Sequence, residues 1–249
     1  MMSDDKRPPD IFGKAFLSYL NGEAPESIEV WIDGEEQDPL PPAYFFRETD
    51  EMPLLEQLAL VRSRGRTLDV GAAAGCHSLV LQHAGIDVTA LEISPLACEV
   101  MRKRGIKKVV QEDFFSFKDD AGYDTILLMM NGLGMGQSVE GTTHLLQKAA
   151  SLLNKGGVIL GDTSDVSYFR EERENERGLS LQPPIDHYYG MVHFQLKWNA
   201  LFHEFNWIYP DPELLKNAAH EARLTCELVA DGPHNDFLMA FTHLNDDNR

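Results

Sequence analysis

The chain has 249 residues, 43% hydrophobic and 25% charged, which suits one large globular domain with a modest extension. Forty acidic against 22 basic residues give a formal net charge of −18, a potential that repels phosphate backbones and argues against a nucleic-acid partner. No apolar run reaches membrane-spanning length, and the start MMSDDKRPPD lacks the apolar core of a secretion signal.

Three cysteines (Cys76, Cys98, Cys226) without ligand-like spacing favour a reduced, cytoplasmic setting and no metal, and the lack of a spanning run points to no membrane partner. The basic run MRKRGIKK, residues 101–108, reads as a helix end, where cations suit the macrodipole and Gly105 supplies the cap.

In chain order, DPLPPAYFF carries three prolines and separates an N-terminal segment from the main body. Residues 1–62 are expected to form a helical cap and residues 63–249 the main domain. Residues 48–63, ETDEMPLLEQLALVRS, favour a helix capped by Thr49 or Asp50, with Leu54, Leu55, Leu58 and Val61 on one face.

From residue 66 the chain alternates. TLDVG, DVTALEI, KKVVQEDF, YDTILLMM and GGVILGD have strand character, and residues 77–83, 95–104 and 144–153 between them are helix-like. This grammar predicts an α/β, doubly wound, mostly parallel sheet with helices on both faces. LNKGG stops the last helix and turns into the next strand. An inserted β-hairpin over about residues 187–209 follows, turning near Trp198 to Ala200, then a helix over 212–222 and two further strands.

Ligands in open α/β sheets sit beyond the carboxyl ends of the strands, where strand order reverses. There the sequence places Asp69 and Gly71, then Glu92, Asp113, and finally Asn131 with Gly132. A dinucleotide turn needs three glycines at fixed spacing, but Ala73 and Cys76 occupy two of those places, and Asp69 would repel a pyrophosphate. An aminoacyl nucleoside fits better. Asp69 can hold its ammonium directly or through water, Glu92 its ribose hydroxyls and Asp113 its adenine amino group, each charge-assisted contact being worth roughly 1.5–3 kcal/mol.

These motifs resemble those of class I (Rossmann-like) S-adenosylmethionine-dependent methyltransferases. DVGAAAG matches the first motif with Ala73 for its central glycine, and ALEIS, QEDFF, YDTILLMMNGLGM and LLNKGGVILGD follow in family order. PAYFFR and DEMPLLEQLAL before the first strand, with YYG after the fifth, are similar to a group of bacterial methyltransferase-domain proteins. The resemblance implies a seven-stranded sheet with its last strand antiparallel, S-adenosyl-L-methionine as cofactor and a small-molecule acceptor.

It further implies cofactor contacts at Asp69, Gly71, Ala73, Gly75, Glu92, Ile93, Asp113, Phe114 (or Phe115), Asn131 and Gly132. The resemblance also implies that Tyr44 and Arg47, from the N-terminal segment, close over the methionine end, with Arg47 expected to meet the carboxylate. His187, Tyr188 and Asp162 are candidates by position for a general base, which methyl transfer from a sulfonium does not strictly require. The N/D-P-P-Y/F pattern of adenine and glutamine N-methylation is absent, as is the Pro-Cys of cytosine C5 methylation. His193 and His203 can face each other on the hairpin, but they read as surface residues. A non-catalytic cofactor sensor and an NAD-dependent oxidoreductase are the competing readings.

Overall fold

The computed structural model describes residues 8–167 and 188–244, so the candidate His187 lies outside the described residues. From the N-terminus, α1 (Ile11–Leu20) leads into β1 (Ile28–Ile32), β2 (Glu35–Leu40) and α2 (Leu54–Arg62). The alternating part comprises β3 (Arg66–Val70), α3 (Cys76–His83), β4 (Asp87–Glu92), α4 (Pro95–Lys103), β5 (Val109–Gln111), β6 (Tyr123–Leu128), α5 (Val139–Leu152) and β7 (Leu153–Ser164). The last part holds β8 (Met191–Trp198), β9 (Leu201–Ile208), α6 (Pro212–Glu221), β10 (Leu224–Asp231) and β11 (Asp236–His243).

Seven strands form the central sheet in the order β10–β11–β7–β6–β3–β4–β5. All run parallel except β11, which is antiparallel to both β7 and β10. The chain builds outward in opposite directions from β3 and β6, so a crevice opens beyond their carboxyl ends. Apolar residues run continuously through the second half of β6, Ile126 to Leu128, because both faces are covered. Ile126 and Leu128 pack with Leu145 and Leu215 of α5 and α6, while Leu127 packs with Leu55 and Leu81 of α2 and α3.

A second, antiparallel sheet has the order β2–β1–β8–β9. The inserted hairpin was legible, and β8 and β9 turn at Asn199 and Ala200. The N-terminal segment, however, supplies two strands besides its helix. Ile28, Val30 and Ile32 alternate, and Asp33-Gly34, at φ 52° and 82°, makes a tight primed turn, a hairpin signal the helical expectation passed over. An exposed Lys197–Glu29 ion pair (3.0 Å) joins β8 to β1. The inner face of this sheet, with Val30 and Leu196, packs on Ile11 and Ala15 of α1.

Two helix starts differ from expectation. A residue before proline disfavours the helical region, and Met52 before Pro53 is extended at φ −77°, ψ 144°. Residues 49–51 therefore form a separate turn, boxed by Glu48 and Glu51 rather than capped by Thr49 or Asp50, and α2 begins only at Leu54. Conversely α5 begins at Val139, because Ser138 accepts from the Gly141 amide (3.0 Å) and caps it. The LNKGG turn survives as an irregularity within β7, where pairing with β6 breaks between Tyr123 and Thr125.

Candidate functional site

The turn after β3 is pinned to its neighbour strand, with the amides of Gly71 and Ala72 both donating to the Leu91 carbonyl (2.9 and 3.1 Å). Gly75 has φ 83°, and a Cβ there would lie 2.2 Å from Ile106 Cδ1, so only glycine fits. At Gly71 an added Cβ would meet only Met135 Sδ, at 3.9 Å, which leaves space in front of the turn. Ala73 takes φ 51°, a left-handed conformation costing an L-residue about 1–2 kcal/mol. Its amide points at Glu92 Oε2 (2.9 Å).

Glu92 also accepts from the Ser94 amide at Oε1 (2.9 Å), so backbone donors hold its carboxylate from two sides. Burial raises its pKa, and the amides of Ser94, Ala73 and Ile93 oppose that rise. Ser94 caps α4 through Ala97, as its sequence position suggests, while Glu92 ties the entry to the same helix. Ile93 stands exposed beside it.

Asp113 accepts at Oδ1 from the amides of Phe115 and Ser116 (2.9 and 3.2 Å) and so stabilises its own turn. Phe114 is packed in the core with Leu91 and Leu128, so the ring left on the surface is Phe115, 5.3 Å from that of His144.

At the end of β6, Met130 and Asn131 both have φ 59°. Two successive non-glycine residues in the left-handed region store strain of the kind that gathers at functional sites. The pair is locked from β7: the Asn131 amide donates to Asp162 Oδ1 (3.0 Å), and Ser164 Oγ donates to Asn131 Oδ1 (3.0 Å). Gly132 opens the turn that follows. Within it, Gly134 admits Trp207 of β9, whose Nε1 would sit 2.0 Å from a Cβ at that position. β9 of the second sheet is thereby anchored on this turn, while the sheet's inner face rests on α1, which packs on α4.

Beneath the turn lies a buried charged group. Arg47, 8% exposed, presents Nη2 to both oxygens of Glu56 (3.0 and 2.9 Å), and its guanidinium lies 3.5 Å over the Tyr44 ring. His77 Nε2 lies 2.6 Å from Glu56 Oε2, and Ser78 Oγ donates to Asp69 Oδ2 (2.6 Å). Nη2 of Arg47 also lies 3.9 Å from Met130 Sδ, which places the group against the end of β6.

Burial alone would depress the His77 imidazolium, but its bond to Glu56 and the negative fields of Asp69, Glu56 and Asp162 raise its pKa overall. Burial likewise raises Asp69, against the pull of His77 and Ser78. Asp162 is pushed up to about 7, by burial first and by the Glu56 charge second. Four buried side-chain polar atoms among the described residues lack a partner, and two of them are Nε and Nη1 of Arg47. Native interiors rarely leave such donors unmet.

Glu56 and His77 escaped the sequence reading. On α2 the expected apolar face does not hold, since Leu54 and Val61 (83%) are exposed while Glu56 (3%) is buried beside Leu55, Ala59 and Leu60. The available signal was a glutamate in register with apolar positions one turn on.

Two further expectations change. The Tyr188 hydroxyl donates to the Tyr209 carbonyl (3.1 Å) and accepts from the Asp211 amide (2.7 Å), and burial raises its pKa strongly. It braces the join of β9 to α6 and is ill-suited to act as a base. His193 and His203 do not face each other: His193 pairs across with Asn206 and His203 with Leu196, on opposite faces of the sheet.

A family described as "Methyltransferase domain" matches residues 46–229. The chain is 35% identical to a crystallised S-adenosylmethionine-dependent methyltransferase from Bacteroides fragilis in complex with S-adenosylhomocysteine. That match covers 95% of both chains with a TM-score of 0.84. A cypemycin N-terminal methyltransferase from Streptomyces is 28% identical over 120 residues, 47% of this chain, and the match spans only about half of that protein's length (49%). A sugar N-methyltransferase from Streptoalloteichus, 16% identical over 81% of this chain and 88% of its own, has a TM-score of 0.53 and shares the fold.

Proposed function

The chain belongs to the methyltransferase-domain family, and from that premise we propose that it transfers a methyl group from S-adenosylmethionine to a small-molecule acceptor. One observation carries the reading: a buried guanidinium, held on one nitrogen by Glu56, keeps two donor nitrogens unspent beside the strand-end crevice. A carboxylate is the group such donors suit.

The residues present fit an aminoacyl nucleoside. Nε and Nη1 of Arg47 would hold the carboxylate. Asp69, 2% exposed under the turn, would accept from the ammonium, through water or across the short span of the turn. The preset Glu92 carboxylate would accept from the ribose, Asp113 Oδ2 from the adenine amino group, and Ile93 and Phe115 would flank the base. Gly71, Ala73 and Gly75 shape the turn that lets backbone approach. When bound, this cofactor supplies a methyl group already activated on a sulfonium.

What is left to the protein is alignment, exclusion of water and, where the acceptor loses a proton, a place to put it. Asn131, Gly132 and Asp162 line the acceptor side. Asp162 Oδ2, the oxygen not engaged by the Asn131 amide, is the proton acceptor in this reading, with a pKa suited to neutral pH. The second sheet bridging α1 and the turn after β6 encloses a small acceptor, and the acidic surface disfavours a nucleic acid.

Thermal shift with S-adenosylhomocysteine and with NAD tests the binding, and release of S-adenosylhomocysteine over a panel of small amines and alcohols tests the transfer. Stabilisation by S-adenosylhomocysteine with turnover on at least one acceptor is expected. Stabilisation by NAD alone would overturn the proposal, and tight binding without turnover on any acceptor would mark a sensor.

A further inference from the structure

We infer that Glu56 is a positioning residue. It binds Nη2 of Arg47 with both oxygens and His77 with one, and so presents the remaining donors of Arg47 to the carboxylate of the bound aminoacyl nucleoside. The inference rests on the cofactor reading above and assigns the part of the site that confers selectivity for the amino-acid end.

The geometry of the ion pair is the reason. A carboxylate that meets guanidinium as a fork consumes two nitrogens. Here both Glu56 oxygens converge on a single nitrogen, which neutralises the buried charge while leaving Nε and Nη1 unused. The Tyr44 ring, 3.5 Å away, fixes the guanidinium plane.

Glu56 is itself held from the opposite side by His77, in the first turn of α3, which ties it to the glycine turn. The groups facing His77 are Glu56 from α2, Asp69 from β3 and Asp162 from β7. Arg47 stands across Glu56. Because Glu56 engages the guanidinium at one nitrogen only, its other two donors face an anionic ligand group, and Asp69 adds an acceptor for an ammonium. The group thus offers donors and an acceptor to match an amino acid, and its three central members come from three separate segments: the stretch before α2, α2 and α3.

A merely structural role for Glu56 would affect every ligand of the crevice alike. Calorimetry should compare S-adenosylhomocysteine with 5′-methylthioadenosine, which keeps the nucleoside and thioether but lacks the amino acid. Wild type is expected to prefer the former. In Glu56→Gln its affinity should fall about tenfold, the scale of one charge-assisted hydrogen bond, while methylthioadenosine binding stays within about twofold.

Equal weakening of both ligands, or of neither, would overturn the inference. If Glu56→Gln does not melt cooperatively, Glu56→Asp serves in its place, keeping the charge but withdrawing it by one methylene. A partial loss of selectivity is then expected, and unchanged selectivity would count against the role. Failure of wild type to bind either ligand would instead remove the aminoacyl-nucleoside reading itself.

Discussion

The two ends of the crevice are built in different ways. At the Glu92 end, a strand terminus and the adjacent turn suffice: Glu92, Ala73 and Ser94 are tied by backbone amides within a short stretch of β3–α3–β4–α4. At the Arg47 end, the working groups come from an irregular segment, from α2, from α3 and from β7, and what joins them is the need to compensate buried charge. A local frame can place a carboxylate through hydrogen bonds alone. A buried guanidinium needs a partner carboxylate, and that partner becomes part of the site.

The largest effect should come from breaking the local end. In the proposed site, Glu92→Ala removes the acceptor assigned to the ribose, which both S-adenosylhomocysteine and methylthioadenosine carry. Both affinities should fall roughly 10- to 100-fold, as for loss of a hydrogen bond to a charged group. The contrast with the selective loss in Glu56→Gln is the sharpest test of the difference between the ends. Unchanged binding of either ligand to Glu92→Ala would remove the ribose assignment.

A pH series probes the buried end. Asp162, at about 7, holds a proton in the folded state that an unfolded carboxyl loses near 4. The folded chain therefore binds more protons between about pH 4 and 7, and Asp162's contribution to stability declines as pH rises through that window. His77, also raised, contributes stability that is fully present below its unfolded value and is lost as pH rises through its folded value. Urea melts of Asp162→Asn should show a shallower decline between pH 5 and 7 than wild type, at about 1.4 kcal/mol for each tenfold difference in proton affinity that the substitution removes. The substitution also takes a negative field from His77, so the imidazole should titrate lower by NMR. An unaltered slope would show that Asp162 is an ordinary carboxylate in solution.

The smallest effect is expected in the turn. Ala73→Gly relieves the left-handed strain but loosens the unfolded chain, so a net gain of at most about 1 kcal/mol should appear in the same melts. A clear loss of stability would mean that the methyl group, packed towards the cluster of Phe16, Phe45 and Val100, contributes more than the strain costs.

Much of the frame was legible beforehand. The strand-ending acids, the glycine turn, the order of strands and helices and the hairpin with its turn at Asn199 all follow from periods and turn chemistry within a few residues. Where reading failed, a contact from elsewhere decided the outcome. Val61 is exposed and Glu56 buried because α2 turns towards Arg47, not because of its own apolar pattern. Phe114, not Phe115, goes into the core, and neighbouring aromatics offer no local signal to separate them. Tyr188 is consumed by the Tyr209 carbonyl and the Asp211 amide, more than twenty positions along the chain.

By itself, then, the amino-acid sequence determined a doubly wound sheet and the acids that end its strands, since backbone geometry and hydrophobic period act over single turns. Only the tertiary structure decided that Glu56 and His77 stand with Arg47, and that β1 and β2 join β8 and β9 in one sheet. Compensation of a buried charge and pairing of distant strands depend on which segments meet in space, and no local pattern records that meeting.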